Sequence, residues 1–261
     1  MLSACLGDVG RGGLTVSVGR IEILGVPMDC LTMDRALEVV DAMVRGQKAE
    51  TIIAVNPEKV IAARRDPRLL GRLQRAGLLI PDGIGVVLAA RLLRLGRLQR
   101  VPGSDLMPAI CRRAADKGYR IFLFGASPDV NRRTVEVLHE RYPGIRIVGS
   151  QHGFLPESEM PALLARINAS QADVLFVALG SPKQEQWMDT YAPSLKVKVC
   201  QGVGGTFDVL SGRTRRAPLV FQRLALEWLY RMLTQPRRLA RQTALPLFAL
   251  QVARAAFFNR L

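Results

Sequence analysis

The chain has 261 residues, of which 49% are hydrophobic, and 37 Lys and Arg against 22 Asp and Glu give a formal net charge of +15. This length and apolar content exclude a largely disordered chain and allow one large domain, or one domain with an appendage. The excess of positive charge indicates an anionic partner, which can be nucleic acid, a phosphorylated ligand or an acidic membrane surface.

The chain opens with a Gly-rich stretch, residues 1–19, that we predict to be a flexible tail. "RIEILGVPMD" then predicts a strand or a hairpin, and a helix with apolar residues at helical spacing begins near Thr32. "TIIAVN" is a short β-branched strand, and Pro57 opens the predicted helix "PEKVIAARRDPRLLGRLQRAG". Strand "LLIP" and helix "IGVVLAARLLRLG" complete a second round of strand, polar loop and helix.

The same alternation continues through the middle of the chain. Strands "RIFLFGAS", "IRIVGS", "DVLFVALG" and "KVKVCQGVG" are separated by amphipathic helices, one of which begins near Gln184. Strands that alternate with helices are typical of parallel crossover units with helices on both faces of the sheet. We therefore predict a Rossmann-like α/β domain over residues 20–212, with a mostly parallel sheet.

The cysteines give no sign of a metal or disulfide framework. They lie far apart with no CxxC spacing, and the chain has only two histidines, His139 and His152, to supplement them. This usage favours reduced thiols in a cytosolic protein and no metal site.

Residues 213–261 differ in composition from the rest of the chain. They hold ten arginines, no lysine and a single acidic residue, Glu227, with aromatic residues between the arginines. This segment is predicted as a basic, amphipathic helical appendage, interrupted by Pro236 and Pro246, that lies in the interface of an anionic membrane without spanning it. The alternative is a terminal helical hairpin packed on the domain with its arginines solvated. Nucleic-acid binding is disfavoured because no helix-turn-helix, zinc finger or RNP-type signature accompanies the charge.

Polar residues follow two of the predicted strands directly. Asp82 in "IPDGIG" stands where a carboxylate can point into the crevice above a parallel sheet and act as a general base, although Asp-Gly is also a common turn pair. Asn56 follows "TIIAV" and can orient sugar hydroxyls, or merely cap the helix that Pro57 opens.

Two further features can serve an anionic ligand. Gly125 and Ser127, after "RIFLF", precede a helix whose N-terminus can face a phosphate, although small residues at such a turn also serve close packing. Arg100 in "RVPGSD" can neutralise a phosphate leaving group, or be one solvated arginine among many.

The cofactor motifs that usually handle nucleotides are missing from the sequence. There is no GxGxxG for a nicotinamide, no GxxxxGK[ST] for a P-loop and no DxD pair to hold a divalent metal against a nucleotide diphosphate. A diphosphate would then be handled by arginines, backbone amides and helix dipoles, so we expect no cofactor and a metal-free mechanism.

Seven stretches in the same order resemble the WecG/TagA/CpsF family of bacterial glycosyltransferases. They are "AVNPEKV", "PDGIGVV", "RVPGSDL", "FLFGAS", "VALGSPKQEQWM", "GVGGTFDVLSGRTRRAP" and "LEWLYRMLTQPRRLARQ", and the resemblance spans roughly residues 20–242. The resemblance implies an inverting, metal-independent transferase that moves a sugar from a UDP-sugar to a sugar carried on undecaprenyl diphosphate. It would act in cell-surface polysaccharide synthesis, as a peripheral protein at the cytoplasmic face of the bacterial inner membrane.

The resemblance also assigns roles to individual residues. Asp82 is the implied general base, Arg100 the stabiliser of the diphosphate leaving group, and Asn56 and Gln184 the residues that shape the sugar and nucleotide pocket. Arginines of the appendage are implied to complete the site when that segment docks at the membrane: Arg231, Arg238 and Arg241.

One departure from the family pattern bears on the donor. Relatives often carry Thr two residues before the asparagine, and this chain has Ala54, which leaves the donor open among N-acetylmannosamine, its uronic acid and glucose. The same departure is the feature that favours an alternative, a non-catalytic adaptor that binds a UDP-sugar at a membrane surface. The acceptor sugar and the assembly state, including a homo-oligomer, are left open. In "SPKQEQW", Gln184 and Glu185 begin a helix at the carboxyl end of a strand, where Gln184 can bond ligand oxygens and Glu185 can suit the positive end of the helix dipole, and Trp187 is interpreted as core.

Overall fold

The computed structural model describes residues 18–218, 220–221, 227–234 and 243–258. Most of the predicted flexible tail, residues 1–17, lies outside this range, as do Arg238 and Arg241 of the predicted site. For Arg231 the structure describes the backbone, which is helical, but not the side chain.

The first described element is a β-hairpin, which decides between the strand and the hairpin that the sequence allowed. Strands β1 (Arg20–Ile23) and β2 (Val26–Asp29) pair antiparallel across a two-residue turn. Leu24 and Gly25 in the turn both have positive φ, 54° and 79°, which matches the twist of the flanking strands. The buried Asp29 carboxylate accepts a hydrogen bond from the Leu79 amide at 2.7 Å, so the hairpin is fixed to the main sheet.

The main sheet has six strands, all parallel, in the order β4-β3-β8-β7-β5-β6. The strands are β3 (Glu50–Val55), β4 (Leu78–Pro81), β5 (Arg120–Gly125), β6 (Arg146–Gln151), β7 (Val174–Ala178) and β8 (Val199–Gly202). The helices that connect or follow them are α1 (Met33–Val44), α2 (Pro57–Arg65), α3 (Pro67–Arg75), α4 (Ile84–Leu92), α5 (Gly103–Lys117), α6 (Pro128–Arg141), α7 (Met160–Ala169), α8 (Lys183–Tyr191) and α9 (Thr206–Leu210). The predicted Rossmann-like α/β architecture is confirmed.

One predicted helix is wrong in detail, because "PEKVIAARRDPRLLGRLQRAG" forms two helices, α2 and α3. Asp66 between them has extended backbone angles, φ −125° and ψ 99°. Pro67 disfavours the helical conformation at the residue before it, and the Asp66 carboxylate caps the new helix by accepting from the Arg68 amide at 2.9 Å. After the break, α3 packs against β2 and α8.

Two hydrophobic layers enclose the sheet. Side chains of β3 show the division, since Ile53 and Val55 enter one core and Ile52 enters the other. The first core is covered by the hairpin and by α2, α3, α4, α7 and α8, and the second by α1, α5, α6 and α9. Cys111 and Cys200 are buried free thiols, and burial raises the pKa of Cys200 to about 12.

The C-terminal segment contributes two described helices, α10 (Glu227–Thr234) and α11 (Ala244–Phe258). Helix α11 packs against α2 and α4, and its buried side chains Phe248 and Val252 join the first core. This helix therefore shares a core with residues that the sequence assigned to the catalytic domain. Among the described residues, no helix is long and apolar enough to cross a membrane.

A buried carboxylate fixes α1 to α5. Asp41 on α1 accepts hydrogen bonds from Arg113 and Lys117, both at 2.6 Å, and from the Tyr119 hydroxyl at 2.9 Å. Burial by itself raises the pKa of Asp41, but the hydrogen bonds from Lys117 and Tyr119 and the charge of Arg113 outweigh it and hold that pKa below its ordinary value. Burial and the bond to Asp41 raise the pKa of Tyr119 to about 12.

Asp41→Asn is expected to lower the free energy of unfolding by about 2 kcal/mol at neutral pH, because charged hydrogen bonds are lost. A lowered folded-state pKa contributes stability above the unfolded value near 3.8, and that stability is lost as pH falls through the folded pKa. Urea unfolding at several pH values should therefore show the difference between wild type and variant shrinking below about pH 4. The exposed Asp116→Asn is the control, and a difference independent of pH would contradict the assignment.

Candidate active site

The carboxyl ends of β3 and β4 bring two of the predicted site residues together. Val55 and Pro81 are paired in the parallel register, so Asn56 and Asp82, the residues that follow them, leave neighbouring strands at the same edge. The Asp82 amide donates to the Val55 carbonyl at 2.8 Å. The two predicted residues thus lie side by side, as expected for strand ends of a parallel sheet.

Arg100 reaches the same edge through the backbone. The Val101 amide donates to the Pro81 carbonyl at 2.8 Å. Arg100 precedes Val101 and Asp82 follows Pro81, so the two residues lie beside the two ends of this hydrogen bond. Two backbone hydrogen bonds therefore join the segments that carry Asn56, Asp82 and Arg100. The sequence placed these residues in three separate loops, and the fold places the loops in contact.

Glycines allow the start of α4 to lie close to the start of α2. Gly83 has φ +93°, a conformation that favours glycine, and a Cβ added to Gly85 would lie 2.6 Å from Pro57 Cγ. The "DGIG" sequence therefore serves close packing as well as presenting Asp82. Asp82 is partly exposed at this edge.

Asn56 caps α2, which was one of its two predicted roles. Its Oδ1 accepts from the Lys59 amide at 2.9 Å, and its backbone angles are extended. Capping uses the side-chain oxygen and does not use the side-chain amide hydrogens, which are donors. The capping bond fixes the orientation of this amide at the carboxyl edge.

A buried ion pair lies beneath the edge and was missed by the sequence analysis. Lys59 Nζ lies 2.5 Å from Glu185 Oε1, and the two side chains are 7% and 0% exposed. Glu185 Oε1 also accepts from Gln184 Nε2 at 3.2 Å, while Glu185 Oε2 is buried with no hydrogen-bond partner among the described residues. The sequence analysis matched Glu185 to the dipole of its helix. No signal in "NPEK" or "SPKQE" points to a pair between residues so far apart.

Gln184 is hydrogen-bonded to the loop that follows β8. Its Oε1 accepts from the Gly204 amide at 2.9 Å, and a Cβ added to Gly202 would lie 2.7 Å from its Nε2. Gln184 is 4% exposed, so this amide is packed into the protein beneath the loop that follows β8. Gln184 therefore supports the loop that carries Gly204, and its predicted role in the sugar and nucleotide pocket stays a prediction.

The "GAS" turn is fixed by close packing. Gly125 has φ +122°, and a Cβ there would lie 2.5 Å from the backbone of Ala178 at the end of β7. The Gly125 carbonyl accepts from the buried Asn131 amide at 3.0 Å. Ser127 precedes α6 and its Oγ accepts from Arg213 Nη1 at 3.2 Å, so an arginine already adjoins this helix N-terminus.

Glu227 connects Arg100 to a second arginine that the sequence analysis did not single out. Glu227 Oε2 lies 3.6 Å from Arg100 Nη1, and its Oε1 lies 3.5 Å from Arg216 Nε. Arg216 Nη2 also contacts Asp105 Oδ1 on α5. One carboxylate from the C-terminal segment therefore holds two guanidinium groups from different loops toward each other.

Arg216 lines an open cleft with a volume of ≈ 480 Å³ between the start of α5 and α9. Arg141 and Arg215 line the same cleft, so its wall is strongly basic. The signal that could have found Arg216 is the cluster "RTRRAP" shortly after α9. Composition alone grouped these arginines with the appendage.

Ala54 lies at the edge of the second core. The position that a Cβ would occupy on Gly103 is 3.4 Å from the Ala54 Cβ, so the first turn of α5 packs closely on this residue. Trp187 is buried, as predicted, with its ring centroid 4.9 Å from that of Phe124. Among the described residues, no group of three or more His, Cys, Asp or Glu is placed to hold a metal ion.

Lys59→Met is expected to lower the free energy of unfolding by about 3–5 kcal/mol, because Glu185 would be left as a buried, unpaired carboxylate. The double variant Lys59→Met/Glu185→Met should be more stable than the single variant, since it removes both charges. Chemical denaturation of wild type, the single variants Lys59→Met and Glu185→Met and the double variant measures the coupling, and Lys183→Met, at an exposed lysine of the helix that carries Glu185, is the control. Equal stability of the single variant and wild type would show that the pair is not buried in solution.

The comparison with protein families agrees with this geometry. The model described as "Glycosyl transferase WecG/TagA/CpsF family" matches residues 21–261, which include the sheet, its carboxyl edge and the C-terminal segment. The match extends past residue 242, where the sequence motifs ended, and takes in α11. The chain therefore belongs to the WecG/TagA/CpsF family of glycosyl transferases.

Proposed function

We propose that the protein is an inverting, metal-independent transferase that moves a sugar from a UDP-sugar to a sugar carried on undecaprenyl diphosphate. The product would serve cell-surface polysaccharide synthesis at the cytoplasmic face of the bacterial inner membrane. One observation carries the proposal: the backbone bonds at the ends of β3 and β4 bring Asp82, Asn56 and Arg100 to one edge of the sheet. A carboxylate, an amide and a guanidinium match an acceptor hydroxyl, a donor sugar and a diphosphate, respectively.

The proposed reaction is a single displacement. Asp82 takes the proton of the acceptor hydroxyl while the oxygen attacks the anomeric carbon from the face opposite UDP. The new carbon–oxygen bond forms as the bond to the diphosphate oxygen breaks, so the anomeric configuration inverts. UDP leaves with the bonding electrons, and the proton stays on Asp82 until solvent removes it.

Charge that grows on the leaving diphosphate would be met by arginines. Arg100 and Arg216 are already held together by the Glu227 carboxylate, at 3.6 and 3.5 Å. A diphosphate oxygen carries the same kind of charge as that carboxylate and can take its place between the guanidinium groups. Arginines of the C-terminal segment that the family resemblance implicates would add to this charge: Arg231, Arg238 and Arg241.

The donor pocket is proposed around the neighbouring strand ends. Asn56 would donate its amide hydrogens to sugar hydroxyls, and Gln184 would position the Gly204 amide by its 2.9 Å bond. The turn at Gly125 and Ser127, with the N-terminus of α6, would face a phosphate of the nucleotide. Ala54 offers no hydroxyl, so the donor is proposed to be a sugar that does not need that contact.

Asp82→Asn is expected to reduce transfer by about 10²–10⁴-fold, because the amide cannot accept the proton, while the fold is kept. The assay offers a panel of radiolabelled UDP-sugars to short-chain undecaprenyl-diphosphate-sugar analogues, with and without EDTA. Product from one donor, insensitive to EDTA and lost in the variant, supports the proposal. Wild-type turnover by the variant removes Asp82 from the mechanism. Binding of a UDP-sugar with no turnover on any acceptor instead favours the non-catalytic adaptor.

Arg216→Ala is expected to lower kcat/KM for the UDP-sugar roughly tenfold to a hundredfold, since a charged contact to the diphosphate is lost. Arg215→Ala is the matched control, because Arg215 is its exposed neighbour on the same cleft. Steady-state kinetics of both variants, together with thermal unfolding, separate a loss of charge from a loss of fold. Equal kcat/KM values in the two variants would contradict a specific role for Arg216.

A further inference from the structure

Helix α4 is apolar on its outward side as well as its inward side. Val86, Ala89 and Ala90 face the core, while Leu88 is 56% and Leu92 46% exposed on the opposite side. A helix that covers a core normally carries polar residues on its outer face. Here Arg91 is the single charged residue of the helix.

Helix α11 has the same property. Phe248, Val252 and Ala256 are buried at a spacing of four residues, which marks the inward side. On the outward side Leu250, Phe257 and Phe258 are 65%, 64% and 61% exposed. A typical solvated helix does not end in two adjacent, exposed phenylalanines.

The two outward sides belong to one surface, because α11 packs against α4 and both helices cover the same core. We define this α4/α11 surface by its five exposed apolar side chains: Leu88, Leu92, Leu250, Phe257 and Phe258. Five exposed apolar side chains on two helices that pack together mark a candidate interaction site.

The charges around the α4/α11 surface identify the partner. Residues 84–97 and 243–258 contain no Asp or Glu. The arginines in these segments, Arg91, Arg94, Arg97 and Arg254, are all exposed. A second copy of the chain docked face to face would set arginines against arginines, whereas an anionic bilayer offers phosphates to the arginines and an acyl boundary to the apolar side chains.

We propose that the α4/α11 surface inserts into the interface of an anionic phospholipid bilayer, so that a helix of the catalytic domain itself contacts the membrane. The arginine-rich appendage is then not the single point of contact. The link to catalysis rests on the proposed function. Ile84, the first residue of α4, follows Asp82 and Gly83 directly, so the inserted surface begins beside the candidate base. An acceptor sugar on a lipid carrier would thereby be presented at the edge that holds Asp82.

The test is flotation of the full chain with vesicles of phosphatidylglycerol and phosphatidylethanolamine, with phosphatidylcholine vesicles as the neutral comparison. The double variant Leu88→Gln/Leu92→Gln is expected to lower partitioning to anionic vesicles about tenfold or more, because two leucines no longer leave water. Phe154→Gln is the matched control: Phe154 is 73% exposed, and it follows β6 at the edge of the sheet opposite β4. The control should partition like wild type.

Two results would overturn the proposal. Unchanged partitioning of the leucine variant would mean that other segments alone carry membrane binding. A change in oligomeric state of that variant by light scattering, with unchanged partitioning, would mean that a second copy covers the surface. Thermal unfolding of the variant is expected to match wild type, since both leucines are exposed.

An activity assay separates this proposal from the proposed function. The leucine variant should transfer sugar to a water-soluble acceptor analogue at the wild-type rate and lose transfer to an acceptor embedded in vesicles. If wild type transfers to neither acceptor, the proposed function fails while the flotation result stands by itself.

Discussion

The buried ion pair between Lys59 and Glu185 is the constraint on which the candidate site depends. The two residues are 126 positions apart and come from the first turns of α2 and α8, which follow β3 and β7. Burying one such charge unpaired is costly, so each helix start is stable only when the other is in place. The pair continues through Gln184 to the Gly204 amide and through the Lys59 amide to the Asn56 cap. The loops after β3, β7 and β8 are thereby held in one arrangement.

Above this pair, backbone contacts rather than side chains set the positions of the functional groups. The Val55 and Pro81 carbonyls accept the Asp82 and Val101 amides, which places three loops edge to edge. Glycine makes the approach possible, since a Cβ at Gly85 would overlap Pro57 and one at Gly125 would overlap Ala178. Backbone contacts and close glycine packing therefore fix the geometry of this edge.

The C-terminal segment takes part in the same structure. Glu227, its one acidic residue, lies 3.6 Å from Arg100 and 3.5 Å from Arg216, and α11 packs against α2 and α4. The proposals that the C-terminal segment brings further arginines to a diphosphate and that α11 meets a bilayer both start from these contacts. Membrane contact and the diphosphate site would then be linked through one short segment of chain.

The sequence by itself determined the α/β class and most of the helices and strands in their chain order, because apolar spacing and capping residues act over a few positions. It also placed Asn56 and Asp82 at strand ends, since strand ends follow from the same local pattern. The break at Asp66 was visible as Pro67 and was missed because the helical periodicity continued across it.

Only the tertiary structure decided which strand ends are neighbours and which charges are paired. The order β4-β3-β8-β7-β5-β6 inserts the last two strands into the middle of the sheet, and no local pattern encodes that. Arg216 meets Asp105 across 111 positions, and Lys59 meets Glu185 across 126, so their roles appear only once distant segments pack together. The exposed apolar side of α4 was likewise hidden, because a helix that is apolar all round is indistinguishable in sequence from a fully buried one.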